Sequence, residues 1–185
     1  MGCAIIALEK GDCGQAFGGI EVSYAINASD IEDITFDGDG NVTAFTLAGG
    51  GTFAKWEFSR DDSAFYNQEG ARTGNLLSYT QTTFVKSPGI TVENQNWVDG
   101  VVDCCEVVLV NFLSSGQGIV QGIEYDKDND IWKVARNSAK AAPNIMSDTG
   151  ENEARTELNV VSVSNRRSPL TTLTIEDMDG LAGAA

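Results

Sequence analysis

Histidine is absent from all 185 residues. That omission removes the commonest general base near neutral pH, the Ser-His and Cys-His nucleophile pairs, and the nitrogen ligands on which most zinc sites depend. Positive charge is scarce as well: 12 Lys and Arg stand against 27 Asp and Glu, a formal net charge of −15. The first fifty residues hold one basic side chain, Lys10, and eight acidic ones. Such a surface repels phosphate backbones, which argues against ordinary DNA or RNA binding. It suits a passage along which DNA slides without adhering, and it also serves solubility. No apolar run approaches the roughly 20 residues of a membrane span, and no basic-then-apolar leader opens the chain, so no membrane partner is expected. Met1-Gly2-Cys3 lacks the long apolar leader of a lipoprotein cysteine, and Ala7 breaks the usual myristoylation pattern.

Cysteine is sparse, with four in the chain. Cys104 and Cys105 precede the apolar run Val107 to Val110 and read as buried thiols. Cys3 and Cys13 can bridge two arms of the first segment or lend two ligands to a metal, but two cysteines without histidine or a CxxC pair make a poor metal site. Reduced cysteines made in a cytoplasm are the expectation in the absence of a secretion signal. No metal, cofactor or catalytic residue is assigned, and the chain is not expected to be an enzyme.

What the sequence does carry is alternation. Residues 34–58, ITFDGDGNVTAFTLAGGGTFAKWEF, hold three apolar runs separated by two glycine-rich turns. Ile34 and Phe36 share a face, as do Phe45 and Leu47, and as do Ala54, Trp56 and Phe58; this period of two predicts a three-stranded meander. Further strands are expected over 20–26, 76–86, 106–113, 119–125, 131–135, 158–164 and 170–175. Thr91 followed by Val92, Trp97, Val98, Val101 and Val102 predicts the single helix, over 91–103. The polar stretch 59–75 reads either as the extension of its flanking strands into a long protruding hairpin or as a mobile segment. Residues 136–156 are expected to be a long loop. The whole predicts a mainly β chain, an antiparallel sandwich or barrel with one short helix and long assembly loops. One domain spans 1–175, and 176–185 is expected to be a flexible tail.

Two turns begin like calcium loops and fail as such. After Asp37-x-Asp39-x-Asn41, Val42 and Ala48 stand where an EF-hand wants glycine and glutamate; after Asp126-x-Asp128-x-Asp130, Ile131 and Asn137 do. Both read as hairpin turns. No phosphate loop or dinucleotide fingerprint is present. Trp56, Trp97 and Trp132 fall within predicted elements and read as core rather than as a sugar-stacking platform. Phe65 and Tyr66 lie in a polar stretch and are candidates for a docking surface. Arg166-Arg167 is a basic pair at a turn and a candidate inter-subunit contact.

The order of these elements resembles the tail tube and related tail structural proteins of bacteriophages, particularly those infecting Bacteroidetes. The resemblance rests on Cys3 and Cys13 around a short first segment, Gly18-Gly19-Ile20, the 33–58 run, the polar hairpin at 59–75, the LLSYTQTTFVK strand, the helix before a buried strand, and Gly122-Ile123-Glu124-Tyr125-Asp126. It covers most of the chain and includes no catalytic motif. It implies a virion subunit, assembled in the host cytoplasm, that forms hexameric rings stacked into a DNA-conducting tube. The partners implied are other copies of the chain, other tail or neck proteins, and DNA passing without specific binding. Phe65, Tyr66, Arg166 and Arg167 would then contact neighbours, and Asp37 and Asp39 would line the lumen or rim. Alternatives are a neck, tail-terminator or head-decoration protein, and a carbohydrate-binding β-sandwich.

Overall fold

The computed structural model describes residues 19–58, 64–104, 106–126, 128–129, 131–134, 140–146 and 155–183, with Pro88 and 140–146 as backbone only. The strands are β1 (Ile20–Asn27), β2 (Ile31–Phe36), β3 (Val42–Leu47), β4 (Ala54–Glu57), β5 (Ala64–Thr73) and β6 (Leu76–Pro88). After helix α1 (Val92–Asp103) come β7 (Val107–Leu113), β8 (Gly118–Gln121), β9 (Ile123–Asp126), β10 (Ile131–Val134), β11 (Lys140–Met146), β12 (Arg155–Ser164), β13 (Leu170–Thr171) and helix α2 (Ile175–Asp179). The chain is mainly β, as expected. A seven-stranded sheet runs β2-β3-β13-β8-β7-β1-β4, a four-stranded sheet runs β11-β12-β6-β5, and β9 pairs with β10 alone.

β1 and β7 are central and buried on both faces, so their alternation feeds two cores. Tyr24, Ile26, Val108, Val110 and Phe112 point into one, with Ile34, Val42, Phe45 and Phe53. Ala25, Val107 and Leu109 point into the other, which lies against the four-stranded sheet and α1 with Trp56, Trp97, Val85 and Leu158. Ile20 joins the second core although Val22 joins the first. A register shift between these two residues in the β1–β7 ladder accounts for this, because one extra residue turns the following side chain to the opposite face. α1 forms where the sequence places it. The Thr91 hydroxyl accepts from the Asn94 N–H at 3.1 Å, capping the first turn. Trp97, Val98 and Val101 turn inward, and Trp97 meets Trp56 edge to face at 5.4 Å.

The predicted meander is only half formed. β2 and β3 make the hairpin around Asp37, but β4 pairs with β1 at the far edge of the sheet. The glycine run after β3 folds back on the 3-10 turn Ala28–Asp30 instead of reversing into a hairpin. Ala48 N–H donates to the Asp30 carbonyl at 2.9 Å, and a Cβ on Gly51 would stand 2.9 Å from that same oxygen.

Four other expectations are corrected. Within 136–156, residues 140–146 form β11, antiparallel to β12; Pro143 is tolerated because β11 is an edge strand. The predicted 170–175 strand is only β13, which sits between β3 and β8 and joins the two parts of the seven-stranded sheet. The tail expected to be flexible forms α2 and closes over the first core. Thr174 and Asp177 make a reciprocal capping box, Met178 is fully buried, and Phe53 N–H donates to the Leu181 carbonyl at 3.1 Å. Tyr24 Oη donates to Asp179 Oδ1 at 2.6 Å, and Lys55 Nζ lies 2.8 Å from the same carboxylate. The predicted 119–125 strand is bent into β8 and β9 at Gly122, whose φ of +91° favours glycine.

Cys104 is buried as expected, but as a disulfide rather than a thiol; the other three cysteines, Cys3, Cys13 and Cys105, lie outside the described residues, its partner among them.

Candidate functional site

Residues 59–63 of the polar stretch lie outside the described residues, and the remainder, 64–75, forms the long hairpin. β5 and β6 pair from Ala64↔Val85 to Thr73↔Leu76, and Gly74, at φ +60°, supplies the left-handed turn at the tip. β12 lies beside β6 and delivers the Asn165–Pro169 turn to the same end of the sheet. The β9–β10 hairpin reaches that end too. Between them lies a groove of about 510 Å³ whose walls include Leu76, Leu77, Tyr79, Trp132, Arg166 and Arg167. Leu76 is 75% exposed and Leu77 45%, so the tip presents apolar surface to water.

The groove's cation is held by aromatic rings. Phe36 stacks on Trp132 at 6.3 Å, Trp132 meets Tyr125 at 5.5 Å, and the Arg166 guanidinium lies 3.3 Å from the centre of the Tyr125 ring. Asn165 Nδ2 donates to the Tyr125 carbonyl at 3.2 Å and anchors the turn. This stack fixes the plane of Arg166 without neutralising it. Arg167 is exposed, and among the described residues neither arginine has an ion pair with a carboxylate. In so acidic a chain, two adjacent arginines left without an acidic partner are an attractive surface for an anionic group.

The other candidate residues separate. Tyr66 shares a hydrogen bond with Ser168 at 2.7 Å, and Ser168 N–H donates to Gln68 Oε1 at 2.8 Å. Tyr66 is therefore a tie between β5 and the arginine turn, and burial pushes its hydroxyl pKa up to about 12. Phe65 points to the outer face, 46% exposed, stacked on Phe84 at 5.0 Å. It lies eight residues down β5 from Thr73 and takes no part in the groove. Asp37 is committed to its own turn. It accepts from the N–H groups of Asp39 and Asn41 and from Asn41 Nδ2, and these bonds, the Asn41 side chain first, hold its pKa below the usual carboxylate range. Asp39 is exposed. Asp126 has the same turn, with Lys133 added at 3.0 Å.

Sequence reasoning found the arginine pair but missed its companions. Leu76-Leu77, two adjacent leucines directly after the Gly74-Asn75 turn, were the available signal; the Trp132–Tyr125 stack depends on a cross-strand pairing that local pattern does not reveal. Of the three tryptophans, Trp56 and Trp97 are buried and Trp132 is half-buried in the stack. A second depression, of about 740 Å³ beside β13, includes a single charged side chain, Glu176, in its lining. Among the described residues no group of three His, Cys, Asp or Glu is placed to hold a metal ion, and no helix is long and apolar enough to cross a membrane. None of the family models, curated proteins or solved structures compared with the chain matches it.

Proposed function

We propose that the chain is a self-assembling structural subunit of a phage tail, forming rings, hexameric by the family resemblance, that stack into a tube for DNA. The observation that carries this reading is the β5–β6 hairpin. β5 is a ten-residue edge strand, and it and its neighbours expose Phe65, Leu76, Leu77 and Val163. A long edge with apolar side chains invites pairing with another chain, and closed rings remove such edges. The net charge of −15 fits a conduit that DNA traverses without sticking, with the Asp37–Asn41 turn a candidate for lumen or rim.

Purified protein examined by light scattering and negative-stain electron microscopy is expected to form rings and stacked tubes. A protein that stays monomeric over the full concentration range would sink the reading. Rings that never stack would move it to a neck or tail-terminator role. A carbohydrate-binding module gains no support, since two of its three candidate platform tryptophans are buried in the core.

A further inference from the structure

The two ends of the four-stranded sheet differ in charge. At the hairpin tip sits the groove with Leu76, Leu77, Trp132, Arg166 and Arg167. β6 runs 13 residues from that tip to Pro88, about 40 Å at the usual strand rise, and leads directly into α1. The outer face of α1 is acidic and partly apolar. Glu93, Asp99 and Asp103 are exposed, Val92 is 67% and Val102 37% exposed, and the helix contains no basic residue. One end therefore offers two arginines without acidic partners among the described residues, beside exposed leucines, and the other offers three carboxylates beside exposed valines. On a single subunit these surfaces lie at opposite ends of a rigid strand and cannot meet.

We infer that the tip groove receives the outer face of α1 from a second copy of this chain, in a head-to-tail contact. Arg166, held flat on Tyr125, and Arg167 pair with carboxylates of the incoming helix, and its valines cover Leu76 and Leu77. Charge complementarity selects this occupant: copies of so acidic a chain repel one another except where a cationic patch meets an anionic one. Because the two surfaces differ, the contact is heterologous and propagates from copy to copy instead of closing a two-fold dimer. The inference rests on the self-assembly reading and names one of its contacts.

The test uses the full chain and four variants: Arg166→Glu with Arg167→Glu; Glu93→Lys, Asp99→Lys and Asp103→Lys; the two sets combined; and Leu76→Ser, which leaves the Arg166–Tyr125 stack in place. Sedimentation velocity and negative-stain images report assembly, and melting curves confirm that each variant is folded. Each charge reversal is expected to lower the assembled fraction roughly tenfold, Leu76→Ser to lower it severalfold, and the combined variant to recover to within about threefold of the parent. The inference is overturned if the arginine reversal or Leu76→Ser assembles like the parent, or if the combined variant does no better than its components. In either case the self-assembly reading still stands. A parent protein that never assembles overturns both.

Discussion

The two faces of β1 and β7 bury their side chains by different means. On one face, Tyr24, Ile26, Val108, Val110 and Phe112 meet apolar neighbours, and Tyr24 and Phe112 pack edge to face at 5.9 Å. The opposite face meets the four-stranded sheet, and its apolar cluster gives way to a chain of buried amides and hydroxyls. Ser23 Oγ donates to Asn111 Oδ1 at 2.6 Å, and Asn111 Nδ2 donates to Thr83 Oγ1 at 2.8 Å. Thr83 in turn donates to Gln121 Oε1, and Gln121 Nε2 donates to the Gln81 and Val160 carbonyls. Ser162 Oγ donates to Gln81 Oε1 at 2.9 Å. The apolar face derives its stability from area and accepts any well-fitting hydrocarbon. The polar face contributes little net energy per bond but permits one alignment of the two sheets, because a slip by one residue leaves several buried groups unpaired.

Substitutions can break that contrast, starting with the largest effects. Phe112→Ala on the apolar face should cost about 3–5 kcal/mol in denaturant unfolding, whereas the volume-conserving Ile26→Leu should cost less than about 1.5. If both cost the same, the apolar face is as shape-specific as the polar one. Gly122→Ala comes next. Its φ of +91° and the overlap of an added Cβ with the Val107 carbonyl oxygen force β8 away from β7, for an expected loss of about 2–4 kcal/mol and lowered amide protection in both strands. Gln121→Leu should cost about 2–3 kcal/mol by orphaning Thr83 and two carbonyls. Gln81→Met should cost less, about 1 kcal/mol, because it takes an acceptor from the Ser162 hydroxyl alone and Gln81 Nε2 has no acceptor to lose among the described residues. Equal losses for Gln121 and Gln81 would show that the chain of bonds does not act as a unit.

The smallest effect concerns pH. Lys133 first, then the Asn129 side chain and the Asp128 N–H, hold the Asp126 pKa at about 2. A depressed carboxylate stabilises the fold above its unfolded pKa, about 3.9, and that contribution is lost as pH falls toward 2. The melting temperature should therefore drop less steeply between those values in Asp126→Asn than in the parent. Parallel slopes would remove Asp126 from the account.

What the sequence made legible was local. The period-two alternation located β2 and β3, the apolar run before Leu113 located β7, Thr91 marked the start of α1, and Asp37 and Asp126 marked their turns, since each signal depends on residues a few positions apart. Partner choice was hidden. β4 leaves β3 for β1, and β13 enters between β3 and β8, because strand pairing is decided by tertiary packing. α2 carries a local signal too: Thr174-Ile175-Glu176-Asp177 is a capping-box sequence, obscured by the small residues after it. Of the candidate site, the arginines could be read as a pair. Their groove could not, because Leu76 comes from the β5–β6 hairpin, Trp132 from β9–β10 and the arginines from the turn after β12, three parts far apart in the chain.

β13 is two residues long, yet it holds β2 and β3 to the remainder of the seven-stranded sheet. It is translated after every other strand of the described residues. During synthesis the β2–β3 hairpin must wait for a stretch some 120 residues downstream, its outer edge unclaimed while the second sheet takes shape. Closure of the sheet is therefore a late checkpoint in biogenesis: a nascent subunit offers an incomplete surface to its neighbours until that strand is in place.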